Sequence, residues 1–375
     1  MKELTKEDLE DLLLGCAVLG CGGGGGLEWG TRTVLKELEE GRRFVLAGPD
    51  DLPEDGWVAS PYFCGSLAPG VPVREDLPKV EDFPPLRAFR ALEDRVGGRF
   101  CGVVATELGG GNTAVALTVA ARLGIPTLDG DPAGRAVPEL TQSTLHLRGN
   151  PITPFALADR FGDVIVVEEV ADASQAEAIA RALARTSGGS IGVADFPARV
   201  KDVRPSLIWS TLSQALAIGR AGREALEMGE DPATAMARAG GGCVRFRGVL
   251  SEEPRWRDDG GFTIGEFVLT GVGRWSDYRY RVWFKNENMI SWLDGEVDLT
   301  CPDLICPVDE SGRPVHNPRI PHGVTLTVLA FPAPSPWRTE EGLALLGPEH
   351  FGFEVPYRPL TADGASDEAS FRDEP

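Results

Sequence analysis

No stretch of this sequence stays apolar for the ~18–20 residues a bilayer-spanning helix needs. The opening MKELTKEDLEDLLLG lacks the basic and apolar regions of a signal peptide. The chain is therefore expected to be cytoplasmic, with no membrane partner. Basic clusters are missing as well: 37 Lys and Arg stand against 57 Asp and Glu, a formal net charge of −20. A nucleic-acid backbone is gripped by clustered cations that displace counterions, so no nucleic-acid partner is expected either. Cysteine is thinly spread. The seven residues Cys16, Cys21, Cys64, Cys101, Cys243, Cys301 and Cys306 are odd in number and lack the spacing of a disulfide framework, so reduced thiols are expected. CPDLICP, followed by His316 and His322, departs from zinc-finger spacing, and Pro302 and Pro307 bracket a strand-like DLI. His146 and His350 stand in no partner motif, so neither a Ser–His–Asp nor a Cys–His arrangement can be assembled.

What is present is ordinary globular material: 375 residues, 42% hydrophobic and 25% charged, enough for about two or three domains. Helical and β-branched patterns alternate from Leu4 to about Pro154: LTKEDLEDLLLGCAVLG and EWGTRTVLKELEEG as helices, GWVASPYF and FCGVVAT as strands, GGNTAVALTVAARLG as a helix. Thr5 is placed to cap the first helix, and Gly41 and Gly124 to end later ones. A further unit follows Gly162: strand DVIVVEEV, helix DASQAEAIARALART, strand SIGVADF, then a helix near SLIWSTLSQALAIGRAGREALEMG. Beyond Cys243 the period falls to two, as in FTIGEFVLTGVG, YRYRVWFKNENMISWLDG and GVTLTVLAF. The expected fold class is α/β. An N-terminal α/β domain with glycine-rich ligand loops spans 1–161. A C-terminal domain spans 162–360, made of a small α/β unit (162–242) and a β-rich segment (243–360). The acidic tail 361–375 is expected to be disordered.

Three segments carry candidate chemistry. In LGCGGGGGLEWG, Gly22 to Gly26 separate a helix ending near Leu19 from one starting near Leu27 or Glu28. Bare amides would then gather beside a helix N-terminus, where ligand oxygens bind well. The loop ends in no Gly-Lys-Ser/Thr and follows a helix, so it is neither a P-loop nor a dinucleotide fingerprint. In ATELGGGNTAVAL, a strand runs through Glu107 into Gly109, Gly110, Gly111 and Asn112, the switch from strand end to helix start where open α/β sheets hold ligands. Asn112 reads as either a helix N-cap or a ligand contact. Glu107 can accept from a ring N–H or act as a base. In IPTLDGDPAGRAVPEL, Asp129, Asp131, Arg135 and Glu139 are expected to converge on one rim, as an acid–base pair or the holder of a divalent metal. Asp-Gly and Asp-Pro also build turns without chemistry.

The blocks LTKEDLEDLLLGCAVLGCGGGG, ELGGGNTAVALTVAARLGIPTLDGDPAGRAVPEL, STLSQALAIGRA, FKNENMISW, CPDLICPVDESG and WRTEEGLALLGPEHFGF resemble, in order, those of the S-methyl-thiohydantoin desulfurase family, also called DUF917. The resemblance runs from about Leu4 to Phe353. It implies two domains meeting near Gly162, association with hydantoinase and oxoprolinase systems, and removal of sulfur from a thiohydantoin-type ring. Departures are Cys21 where the family often has Thr, Gly26-Leu27 where a Pro is usual, and His322 where an aromatic is usual. Such a reaction needs a base, an anion-stabilising group and a proton for the departing sulfur. For that chemistry the base is expected to be Glu107, Asp129 or Asp131, with anion stabilisation by amides near Gly22, Gly23, Gly24 and Gly25 and near Gly109 to Gly111. Arg135 and Glu139 are assigned to substrate recognition. Asn286, Glu287 and Asn288 become substrate-amide binders, although FKNENMIS also reads as a polar hairpin turn. The expected ligand is a small heterocycle, with a homo-oligomer or a hydantoinase-like subunit as protein partner. The rival readings are a non-catalytic subunit of such an assembly and a phosphate- or nucleotide-binding protein.

Overall fold

The computed structural model describes residues 1–65 and 77–360; the tail expectation for 361–375 lies outside the described residues. The chain opens with β1 (Lys2–Glu3) and α1 (Lys6–Leu19). Thr5 Oγ1 accepts the Asp8 amide at 3.1 Å while Asp8 Oδ2 accepts the Thr5 amide at 3.1 Å. This reciprocal capping box fixes where the helix starts. After the glycine run come α2 (Leu27–Glu39), β2 (Val45–Ala47), β3 (Trp57–Gly65), α3 (Pro84–Val96), β4 (Phe100–Val103) and α4 (Asn112–Leu123). Gly124 ends α4 in the left-handed region, as expected, and Gly41 takes φ 82° just past the end of α2.

Next are β5 (Thr127–Leu128), β6 (Gly130–Asp131), α5 (Thr144–Leu147), β7 (Phe155–Ala158), β8 (Val164–Val167), α6 (Ala173–Thr186), β9 (Ser190–Arg199), α7 (Val200–Val203), β10 (Ile208–Trp209), α8 (Thr211–Glu227) and α9 (Pro232–Ala239). The first sheet has the order β1-β2-β5-β4-β3-β9-β7-β8. Its β2, β5, β4 and β3 run parallel, and β9, β7 and β8 add antiparallel pairs. The sheet thus continues across residues 161 and 162: β9 lies between β3 and β7, and β10 pairs with β6. Helix α8 seals the same body by crossing α1 at backbone distance. A Cβ on Gly15 would stand 1.8 Å from the Ala215 carbonyl oxygen, and one on Gly219 would stand 1.8 Å from that of Asp11. Arg223 clamps the crossing through both oxygens of Asp11, at 2.8 and 3.0 Å.

The β-rich part contains β11 (Cys243–Leu250), β12 (Arg255–Asp259), β13 (Phe262–Gly271), β14 (Arg279–Lys285), β15 (Glu287–Leu293), β16 (Glu296–Thr300), β17 (Leu304–Asp309) and β18 (Thr325–Phe331), followed by α10 (Glu340–Leu346). Its sheet is antiparallel throughout, ordered β16-β15-β14-β13-β11-β18-β17 with β12 on β13. Alternate residues Phe267, Tyr280, Val282, Phe284 and Val328 fill its core, where Phe246 stacks on Tyr280 at 4.9 Å. The molecule is therefore a mixed α/β sheet followed by a largely antiparallel β-rich part. Among the described residues no helix is long and apolar enough to cross a membrane.

Candidate active site

The glycine run is a junction of three backbones. Cys21, Gly22, Gly24 and Gly25 all take positive φ, at 50°, 88°, 70° and 82°. The Gly24 carbonyl accepts the amides of Gly111 and Asn112, each at 3.0 Å. A Cβ on Gly24 would meet the Gly109 Cα at 2.6 Å, and one on Gly25 the Gly111 Cα at 2.9 Å. The two glycine-rich segments therefore need no side chains because they mesh with each other. The β-rich part docks on the same loop, with the Asn288 amide donating to the Cys21 carbonyl at 2.8 Å and the Asn317 amide to that of Gly22 at 2.9 Å.

Several expected ligand donors are consequently engaged within the protein. The Gly109 amide donates to Thr113 Oγ1 and the Gly23 amide to the Gly20 carbonyl. Asn112 is not the cap of α4, a place taken by Gly111; its Nδ2 donates to Glu107 Oε1 at 2.8 Å. Gly23 to Gly26, Gly111, Asn112 and Glu107 do face a cavity of about 560 Å³. Its other walls come from β3, β9 and α6, and from Asn286, Glu287, His316 and Asn317 of the β-rich part.

The acidic residues that follow β5 are dispersed rather than gathered on one rim. Asp129 turns to the first turn of α8, accepting the Ser213 amide at 2.8 Å and its hydroxyl at 2.6 Å. Asp131 Oδ1 folds back on the Ala133 and Gly134 amides, both at 2.7 Å, which is turn-building chemistry. Arg135 is fully buried and binds carbonyls: Asn288 at 2.9 Å, Pro302 at 3.1 Å and Asp303 at 3.2 Å. It staples the two parts of the molecule together and does not line the cavity. Glu139 reaches the rim in contact with Lys285 and with His350 at 3.0 Å. Burial pushes its pKa up, but those two partners outweigh it and hold the carboxyl at about 2. Among the described residues, no three His, Cys, Asp or Glu side chains are grouped to hold a metal. The residues expected to form a metal site are thus engaged elsewhere.

Glu107 and Glu287 are two carboxyls that different parts of the fold bring to the cavity. The strand expected to run through Glu107 ends at Val103, and Glu107 sits buried in the bend beyond it, with Oε2 accepting the Val137 amide at 2.9 Å. Burial raises its pKa to about 7. Glu287 follows Asn286, whose φ of 57° turns the β14–β15 hairpin; the Asn286 amide donates to the Thr263 carbonyl and its Oδ1 accepts the Thr263 amide. FKNENMIS therefore does form a hairpin turn, and its Asn286 and Glu287 also line the cavity. Burial, and then the charge of Glu107, push Glu287 well above the usual carboxylate range, and its Oε2 has no partner among the described residues. Asn288 stays behind the cavity wall, donating to the Ile305 carbonyl and accepting from Asn317 at 2.9 Å. Cys21 Sγ lies 3.6 Å from Cys306 Sγ, both thiols buried beneath the loop.

Sequence reasoning missed His316, Asn317, Tyr62, Asp195 and the Glu177–Arg181 ion pair, all of which line the cavity. A signal existed for Asp195: a lone carboxylate inside the apolar strand SIGVADF.

The family model for the S-Me-THD-like N-terminal domain matches residues 7–169, and the one for the S-Me-THD-like C-terminal domain matches 171–360. An X-ray structure of a protein from Chromobacterium violaceum is similar at a TM-score of 0.74 and 25% identity, covering 96% of this chain and 100% of that one. No curated protein matches. Matches that together run from residue 7 to residue 360 place the chain in the S-Me-THD-like family.

Proposed function

We propose that the chain is a hydrolase that removes sulfur from a thiohydantoin-like heterocycle, with Glu107 as base and Glu287 as acid. The observation that carries this reading is the pair itself: two buried carboxyls from different parts of the fold, lining one cavity, both raised above the usual carboxylate range by burial, with the charge of Glu107 adding to the rise at Glu287. Two buried carboxyls whose charges repel each other do not ionise together, so the pair supplies a base and an acid.

Glu107 takes a proton from water as the water oxygen bonds to the ring carbon bearing sulfur. The electron pair of the C=N bond passes to the ring nitrogen, which takes the proton of Glu287. When the C–S bond breaks, sulfur leaves with the bonding pair and the proton held by Glu107. The hydroxyl proton returns to Glu287 as the carbonyl forms. The products are the oxygen heterocycle and a thiol, or sulfide where the sulfur carries no substituent. Both glutamates end as they began.

The test is thiol or sulfide release from S-methyl-thiohydantoin derivatives by wild type, Glu107→Gln and Glu287→Gln. Release by wild type and a fall of roughly 10²–10⁴ in each variant are expected. Absence of release by the wild type, or full activity in both variants, overturns the reading.

A further inference from the structure

The same cavity has a second polar wall that the acid–base chemistry does not use. Ser60 on β3 and Asp195 on β9 are register partners across an antiparallel pair. Each is 1% exposed, and both line the cavity. Two residues along β3 on the same face, Tyr62 donates its hydroxyl to Asp195 Oδ2 at 2.8 Å, which fixes the carboxyl's orientation. Asp195 Oδ1 and Ser60 Oγ have no hydrogen-bond partner among the described residues. The pairing register shifts between Val58 and Ser60, and Phe196 takes φ 46°. An irregularity of this kind re-aims side chains and recurs beside binding sites.

A buried polar atom without a partner destabilises the fold that holds it. Two of them, on positions whose Cα atoms stand about 4.5–5.5 Å apart in such a pair, can be completed by one ligand edge. The carboxylate oxygen accepts, and the hydroxyl donates. We infer that Ser60 and Asp195 form a recognition subsite for the N–H and adjacent C=O of a cyclic ureide or imide ring, Asp195 Oδ1 accepting the ring N–H and Ser60 Oγ donating to the carbonyl. Tyr62 is a positioning residue, acting through Asp195. The subsite confines the substrate to rings with a free N–H beside a carbonyl, and it holds that edge against β3 and β9 while Glu107 and Glu287 face the ring from the other walls. Burial raises the Asp195 carboxyl to about 7, so an N–H donor supplied by a ligand favours the charged form that accepts it.

The inference rests on the proposed desulfurisation only for the choice of probe. The probes are a benzyl-substituted hydantoin and its two N-methyl derivatives, titrated calorimetrically into wild type, Asp195→Ala and Ser60→Ala. Wild type is expected to bind the parent ring about tenfold or more tightly than one of the N-methyl derivatives, the worth of one hydrogen bond to a charged group. Asp195→Ala should abolish that preference, while Ser60→Ala should weaken every ring by about threefold or more and keep it. Should Asp195→Ala fail to fold, Ser60→Ala and the wild-type preference still decide. Equal affinity of wild type for all three rings, an intact preference in Asp195→Ala, or unchanged affinity in Ser60→Ala overturns the subsite. Repeating the titration in Glu107→Gln separates the two readings. A preserved preference in wild type that releases no thiol sinks the desulfurisation alone, and thiol release without preference sinks the subsite alone.

Discussion

Gly23 lies so close beneath Glu287 that a Cβ on it would stand 1.9 Å from Glu287 Oε1. Gly23 is not among the glycines with positive φ, so alanine suits its backbone and the Glu287 side chain from Cγ outward must move. Gly23→Ala is expected to cut turnover about tenfold or more and to lower thermal stability less than Gly24→Ala, because the obstacle is the Glu287 side chain and not backbone. Gly24→Ala should do the opposite. At φ 70° and 2.6 Å from the Gly109 Cα, it costs about 2 kcal/mol or more of stability, read from a urea titration.

The rate should depend on pH as a bell. Glu107 must be ionised to take a proton, so kcat/KM rises as pH climbs through about 7. Glu287 must be protonated, so its ionisation gives the descending limb, which burial and the charge of Glu107 move up from the usual carboxylate range. The two limbs belong to the pair rather than to either residue. Glu107→Gln should erase the rising limb from the residual activity and Glu287→Gln the falling one. A profile unchanged in both variants would remove the assignment.

Stability should decline as solutions become more alkaline. Asp131 is raised to about 6, and Glu107 and Asp195 to about 7, in each case first through burial, against unfolded values near 4. Between about pH 4 and pH 7 the folded chain therefore binds more protons than the unfolded one. The stabilisation is complete below the unfolded values and is lost as pH rises through the folded ones. Glu139, lowered to about 2, works in the reverse sense and loses its contribution only in strong acid. Melting temperatures across about pH 5 to pH 8 should fall, and Asp195→Asn should flatten the slope. A flat wild-type curve contradicts this account.

Arg135 should resist even conservative replacement. Its guanidinium reaches the carbonyls of Asn288, Pro302 and Asp303 from within the core. Arg135→Met leaves those acceptors unsatisfied and should cost ~3–5 kcal/mol in a denaturant titration. Arg135→Lys should recover little, since an ammonium cannot reproduce the planar fork. Wild-type stability in Arg135→Lys would refute the staple.

Local structure was largely legible in the letters, because caps and periodicities act over a few residues. LTKED encodes the box that starts α1, Gly124 ends α4, and period two marks β13, β14 and β18. Partnership was not legible. Nothing in ELGGGN says that its glycines serve those of GCGGGGG, nor in LDGD that Asp129 will meet Ser213, 84 residues away. Glu287 was visible as a polar hairpin residue, but its elevated proton affinity arises from burial and from Glu107, which only the folded chain supplies. Helix α3 and strand β7 had gone unmarked, the first opening on Pro84-Pro85 and the second too short for its pattern to stand out.

The lie of β9 between β3 and β7 bears on how the protein is made. The cavity wall draws on Gly23 near the start, Ser190 and Asp195 midway and Asn317 towards the end. All of these stretches have to be synthesised and folded together before the cavity exists. A fragment that stopped before Asn317 would carry the glycine segments and lack part of that wall.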